Sequence, residues 1–388
     1  MQFLFFIQTI LLTEKNNTLA YIMLNFTLIL NTRNMKNSQQ AQLVLSSTDL
    51  QKEMSFFTKI GFRLDQIYPA DNPQVAIMSG YNISLKIDLK SNAEKATIHI
   101  LADNPEKVNE GKLSFTAPNG TTFKIFPTSV PLTIPKAPQK FEVRKMSGNE
   151  TWIIGRAGML YRDLIPDRLN GSIIASHIHI PKGGPVPDMV HYHTVGFQLI
   201  FCYNGWVKIV YEDQGEPFIL NAGDCLIQPP EIRHRVLEAS DDLQVIEIGV
   251  PAEHITTIDY EMELPNAIYN PERKFNGQKF CRHIEKEAKW QLWKCENFIF
   301  RDTGIAENSN GVASVIVAKP TNKSTTNKTV HQTNILFCFV MNGKTTLEVD
   351  GYPATNLAKG DAFVIPQNTN YQFSEFDTNL ELLEVSIL

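Results

Sequence analysis

The sequence predicts a mainly β chain: two tandem β-domains preceded by a small α+β unit. Three observations carry this. From about residue 141 onward, short apolar runs alternate with Gly, Pro and Asn turns, with little helical periodicity before residue 280. A set of strand and turn residues recurs at an offset of 137 to 140 positions. Before both copies, residues 41–128 read as strand, helix and then strands.

A chain of 388 residues has room for two or three cores. Its 36 Lys and Arg against 41 Asp and Glu give a net charge of −5 without a basic stripe, which excludes nucleic acid and acidic membrane surfaces as expected partners. The five cysteines (Cys202, Cys225, Cys281, Cys295, Cys338) are odd in number and form no CxxC pair, so neither a disulfide framework nor a zinc knuckle is expected. Cys202 and Cys338 lie inside apolar runs and read as small buried hydrophobes. A reducing, cytoplasmic location fits this usage.

Residues 1–34 hold two apolar runs split by TEKNNT, each shorter than the roughly 20 residues a spanning helix needs. They lack a basic n-region and a small-residue cleavage site. The expectation is an upstream extension outside the native fold, with Met35 as the true start. Residues 35–128 then form the α+β unit. AQLVLS is a strand, Thr48-Asp49 caps a helix, and Leu50, Met54, Phe57 and Ile60 recur at helical spacing until Gly61. FRLDQIYP, PQVAIMSG and YNISLKIDL follow as strands, and FTAPNGTTFKIF is a strand pair around Asn-Gly. This order, with its late PNG turn, resembles the glyoxalase/bleomycin-resistance (vicinal oxygen chelate) superfamily. In that family a His and a Glu bind metal where Gln42 and Lys124 stand here, so the resemblance implies a domain that has lost its metal.

Residues 129–140 hold three prolines and read as a linker. The repeat follows: Tyr161-Arg162-Asp163 with Phe300-Arg301-Asp302, Asn170-Gly171 with Asn310-Gly311, Pro181 with Pro320, Asn204-Gly205 with Asn342-Gly343, Gly223-Asp224 with Gly360-Asp361, and Pro229 with Pro366. The expected β-domains are 141–251 and 291–388, joined by a segment 252–290 richer in charge and helix formers. The aromatic-Arg-Asp triplet reads as a structural turn, because both copies carry it.

The stretch PDMVHYHTVGFQLIFCYNG (187–205) carries the chemistry. On a strand, residues i and i+2 share a face, so His191 and His193 aim at one point. A bend or bulge near Gly196 would bring Gln198 to that face. GDCLIQPPEIRH (223–234) ends in His234 just past a Pro-Pro corner. Three imidazoles and one oxygen donor make a plausible set for Fe(II), Mn, Ni or Zn.

These two stretches resemble the cupin motifs. His191, His193, a gap of four, Gln198, a gap of six and Gly205 match the first motif, with Gln in the place of its Glu. Gly223, a gap of five, Pro229 and His234 match the second, with Glu231 in place of a Gly. With the repeat, the resemblance is to a two-barrel cupin over residues 150–388. It implies two jelly-roll barrels and one divalent metal held by His191, His193, Gln198 and His234. In the second copy the same places hold Thr329, His331, Leu336 and Tyr371, so that barrel is expected to bind no metal. His177 and His179 form another His-x-His and read as barrel-wall residues or as side chains standing behind the metal ligands. His254, His283 and His99 read as isolated, and neither Glu212 nor Glu231 has a spacing that demands a place at the metal.

An amide at 198 leaves the metal with a larger net charge than a carboxylate would. It also cannot act as a general base. Among cupins this resembles three-histidine dioxygenases of the gentisate and diketone types, which implies Fe(II) and a small chelating anionic substrate such as a hydroxylated aromatic acid or a diketone. The alternatives are a non-catalytic metal and small-ligand binder, or a cupin isomerase or epimerase. A homodimer is expected by resemblance only.

Overall fold

The protein is seen in a computed structural model that describes residues 41–69, 73–148, 151–322 and 325–388. The expected upstream extension, residues 1–34, lies outside the described residues. The chain divides into two compact units after Pro131. Among the described residues no helix is long and apolar enough to cross a membrane.

In the N-terminal unit, Asp49 caps the helix Leu50–Lys59 by accepting a hydrogen bond from the Lys52 amide at 3.1 Å. Its Leu50 and Phe57 are buried against a four-stranded sheet in the order Leu43–Ser46, Ile83–Asp88, Val75–Gly80, Arg63–Tyr68. The first two strands are parallel and the others antiparallel. Thr97–Ala102, Thr122–Pro127 and Ser114–Thr116 form a second sheet. Gln42 donates to Ser84 Oγ at 3.3 Å, and Lys124 is exposed. Metal-ligating side chains do not cluster among the described residues of this unit.

Residues 132–388 contain the two β-domains. In the first, one sheet runs Cys281–His283, Cys225–Ile227, Phe197–Asn204, Leu243–Val250, Ile174–Ile180, Leu160–Asp163, Ile153–Ile154. The other runs Phe218–Asn221, Trp206–Tyr211, His234–Ala239, His191–Thr194, Ile255–Ile258. The chain crosses repeatedly between the two sheets, with Phe197–Asn204, Cys225–Ile227 and Leu243–Val250 of the large sheet separated in sequence by strands of the small one, which is the jelly-roll path. The second domain repeats the large sheet in the same order: Glu142–Arg144, Ala362–Ile365, Ile335–Asn342, Glu381–Ile387, Ala313–Pro320, Phe298–Asp302, Trp290–Leu292. Among the described residues its small sheet keeps Thr355–Ala358, Lys344–Val349 and Tyr371–Ser374. Where the first barrel has His191–Thr194, the described residues of the second carry an isolated bridge, Thr329 to Tyr371. That bridge sits at the repeat position of the His191–His234 pair.

The two large sheets share one core, built from Phe197, Phe201, Ile248, Val317, Phe337 and Val385 among others. This burial on both faces is why segments such as Leu199–Cys202 read as continuous apolar runs. All five cysteines are free thiols, and burial pushes Cys202 and Cys295 up to about 12.

The boundaries differ from expectation at the lead-in strands, which are exchanged. Glu142–Arg144 joins the second barrel's sheet, and its repeat counterpart Cys281–His283 joins the first's. The Arg-bearing triplets are not turns but strand residues that lock this exchange. Arg162 Nη2 donates to Gly360 O at 2.9 Å, and Arg301 Nη1 donates to Gly223 O at 3.0 Å. Asp224 accepts from the Glu285 amide at 2.8 Å, and Asp361 from the Met146 amide at 2.7 Å. The segment 252–290 forms no α-helix among its described residues; its strand Ile255–Ile258 pairs with the histidine strand.

His177 lies in this joint. Arg162 Nη2 approaches its Nδ1 at 3.1 Å, and its Nε2 donates to Gln244 Oε1 at 2.9 Å. Burial, then the Arg162 charge, hold its imidazole down to about 4 from the ordinary 6.5. The folded state thus keeps the ring neutral. This contribution is complete above about pH 6.5 and is lost as pH falls toward 4, for up to ~3 kcal/mol. Urea unfolding at pH 7 and pH 4.5 should show a smaller acid loss of stability in His177→Gln than in the unmutated protein. Equal losses in the two proteins would contradict the assignment.

Candidate metal centre

The strand His191–Thr194 buries both histidines and leaves Tyr192 and Thr194 partly exposed, as alternation demands. His234 opens the neighbouring strand as the direct cross-strand partner of His191. The ring centroids lie 4.2 Å apart for His191–His234, 5.1 Å for His191–His193 and 5.2 Å for His193–His234. One ligand nitrogen from each of the three falls within 4.8 Å of the others.

Each ring is oriented through Nδ1. His191 Nδ1 donates to Met189 O at 2.7 Å, and His234 Nδ1 to Ile232 O at 3.0 Å. His193 Nδ1 is 2.8 Å from Thr256 Oγ1. Carbonyls can only accept, so Nδ1 of His191 and of His234 carries a proton and Nε2 is the nitrogen each ring turns to the centre. Three buried imidazoles, each oriented through Nδ1, are a donor set that suits a divalent transition metal.

Gln198 reaches the same barrel by another route than a bulge. The chain crosses between sheets at Val195-Gly196, where the Gly196 amide donates to Val250 O at 2.7 Å, and Gln198 stands at the start of a strand in the facing sheet. It is fully buried. Its Nε2 donates to Glu247 Oε1 at 2.6 Å, and its Oε1 has no hydrogen-bond partner.

A cavity of about 470 Å³ opens between the sheets. His193, His234, His254, Glu247 and Thr256 line it together with an aliphatic wall that includes Ile174, Ile178, Ile200, Ile209, Val236 and Val245. Tyr211 stacks on His234 at 5.4 Å, and its hydroxyl accepts from Gln228 Nε2 at 2.7 Å. Arg168, which also lines the cavity, is paired with Asp163 at 3.3 Å.

Two residues here were not singled out from the sequence. His254, read as isolated, stands with its ring 5.4 Å from that of His193. Glu247 places a carboxylate in the cavity wall, so the interior is not the charge-poor site that an amide at 198 suggests. Its signal in the sequence was a lone acid within LQVIEIGV. Other candidates lie elsewhere. His177 and His179 alternate with the cavity-lining Ser176, Ile178 and Ile180 and so face away, His179 pairing with Asp242 at 2.8 Å. Glu212 accepts from Arg273 at 2.6 Å. Glu231 sits at φ 64°, the left-handed backbone that explains a Gly at this motif position. Arg233 stacks over Tyr192 at 4.1 Å on the outer face.

In the second barrel His331 commits both nitrogens, Nδ1 to Thr333 Oγ1 at 2.9 Å and Nε2 to Ile365 O at 3.0 Å. Leu336 and Tyr371 are packed into its apolar core.

No protein-family model matches the chain, and neither does any curated protein. Solved structures do resemble it. A salicylate 1,2-dioxygenase from Pseudaminobacter salicylatoxidans is 15% identical, with 66% of this chain and 87% of that one covered at a TM-score of 0.49. An oxalate decarboxylase from Bacillus subtilis is 12% identical, with 65% and 76% covered at 0.48. The protein Ylba from E. coli is 12% identical, with 66% and 94% covered at 0.46. All three TM-scores fall below 0.5, a distant likeness.

Proposed function

We propose that this chain is a metal-dependent enzyme of the cupin type, most simply a dioxygenase, whose single reaction centre is the cavity of the first barrel. One observation carries the reading: three buried imidazoles, each oriented through Nδ1, converge on the wall of a cavity large enough for a small organic molecule. His191, His193 and His234 would hold the ion. Iron is favoured, and Mn, Ni or Zn also suit the donors. The bound ion supplies Lewis acidity and, for iron, electron exchange with dioxygen.

The protein's own groups select and orient the substrate. The aliphatic wall takes a hydrocarbon body, while Thr256, Gln228 and His254 offer hydrogen bonds at the histidine end. Among the described residues, the one Lys or Arg that lines the cavity is Arg168, already paired with Asp163. A substrate carboxylate would meet no unpaired cation there, so a diketone-like chelator fits better than an aromatic acid. Oxygen uptake by the iron-loaded protein tests this. Uptake is expected with simple and aryl-substituted 1,3-diketones and weaker with hydroxylated aromatic acids. If neither series gives uptake while metal is bound, the dioxygenase reading fails. Glu247 favours one second reading, an isomerase, because it supplies the carboxylate that Gln198 lacks.

A further inference from the structure

The exchange of Glu for Gln at position 198 is answered from the facing strand. Register pairs Gln198 with Gly249 and Ile200 with Glu247, so the two polar side chains lie side by side on the inner face. The 2.6 Å contact from Gln198 Nε2 to Glu247 Oε1 settles which way the amide points, because the reversed amide would set oxygen against oxygen. Oε1 is then the buried oxygen without a hydrogen bond. A buried acceptor left unsatisfied is costly unless something else takes its lone pair.

The second barrel supplies an internal comparison. Glu384 occupies the repeat position of Glu247, paired in register with Cys338 as Glu247 is with Ile200. There the amide's place is Leu336, and the carboxylate instead binds a lysine: Lys294 Nζ lies 2.8 and 3.0 Å from its two oxygens. That ammonium also stands 6.0 Å from the ring of Tyr371, which occupies the place of His234. The barrel without the histidine set thus keeps the inner carboxylate and carries a resident cation beside the vacated ligand place.

We propose that Glu247 is the anionic member of the metal centre, acting through Gln198: it takes the amide N–H, directs Oε1 to the metal and adds the negative charge that the motif's Glu would have brought. This rests on the metal-centre reading above. Glu247 is a positioning residue, comparable to the carboxylates that orient metal-binding imidazoles from behind.

Cobalt(II) titration of metal-stripped protein, read by affinity and by the ligand-field spectrum, tests it. Glu247→Gln, which keeps the shape, is expected to weaken cobalt binding by about tenfold or more. The exchanged pair Gln198→Glu with Glu247→Gln is expected to recover most of that affinity, since an amide at 247 can donate to a carboxylate at 198. A merely structural role for Glu247 predicts instead that Glu247→Gln, which keeps the shape, leaves cobalt affinity and the ligand-field spectrum unchanged. Circular dichroism of the stripped proteins separates misfolding from lost affinity. If His234→Ala abolishes binding but Glu247→Gln does not weaken it, or the exchanged pair fails to recover, this proposal falls alone. If the unmutated protein takes up no metal, the metal-centre reading falls with it.

Discussion

His234→Ala is expected to purify without metal, and the unmutated protein is expected to carry one divalent ion per chain. The imidazole it removes is one of three donors that meet within 4.8 Å, and its Nδ1 is already fixed on Ile232 O. Replacing an outer partner of a metal ligand typically costs about 10–100-fold in affinity, so deleting a ligand should exceed about 100-fold. Metal analysis of freshly purified protein reads this directly. Thermal unfolding gives a second readout, because an ion that binds only the folded state adds ~2.7 kcal/mol at 100 times its dissociation constant. His331→Ala is the internal control. Both its ring nitrogens are committed within the second barrel, so metal content should not change. Equal metal content in His234→Ala and the unmutated protein would rule out the three-histidine site.

How much of this centre the sequence could reveal follows from where its parts come from. His191 and His193 share a face by strand alternation alone, and His234 follows a corner fixed by Pro229; both are local facts. Glu247 and His254 reach the cavity only through register. Glu247 depends on a pairing with Ile200, and His254 precedes a strand that returns to flank Tyr192 and His193. No spacing within either segment encodes those partners. His254 therefore looked isolated, and the amide at 198 looked like a loss of charge rather than half of a pair.

The fold shows the same division. The recurrence of Asn-Gly, Gly-Asp and Arg residues is legible as a tandem repeat, and the two large sheets do share one strand order. What the repeat positions are for was not legible. Gly223-Asp224 and Gly360-Asp361 receive bonds from an arginine of the opposite copy and from the residues just after its lead-in strand. Those lead-in strands have three residues each, too short for a periodic pattern, and nothing local tells a strand which of two similar sheets it will join.

That exchange predicts the second large effect. Arg162 and Arg301 are each only 1% exposed, and each donates to a carbonyl of the opposite barrel. Arg301 also contacts His283 Nε2 at 3.0 Å and Glu285 at 3.5 Å, so it holds the exchanged strand at two points. Arg301→Ala would leave a buried carbonyl without its donor and open a void the length of the side chain. Together these should cost about 3–5 kcal/mol. Arg301→Met fills most of the void without restoring the donor and should cost clearly less, which separates packing from hydrogen bonding. Because the two large sheets share one apolar core, the loss should appear as a lower midpoint for a single denaturation step of residues 132–388, not as a new early step. A change below about 1 kcal/mol in both Arg162→Ala and Arg301→Ala would place the joint's stability in the shared apolar core alone, since the donated bonds would then contribute no more than an ordinary surface substitution.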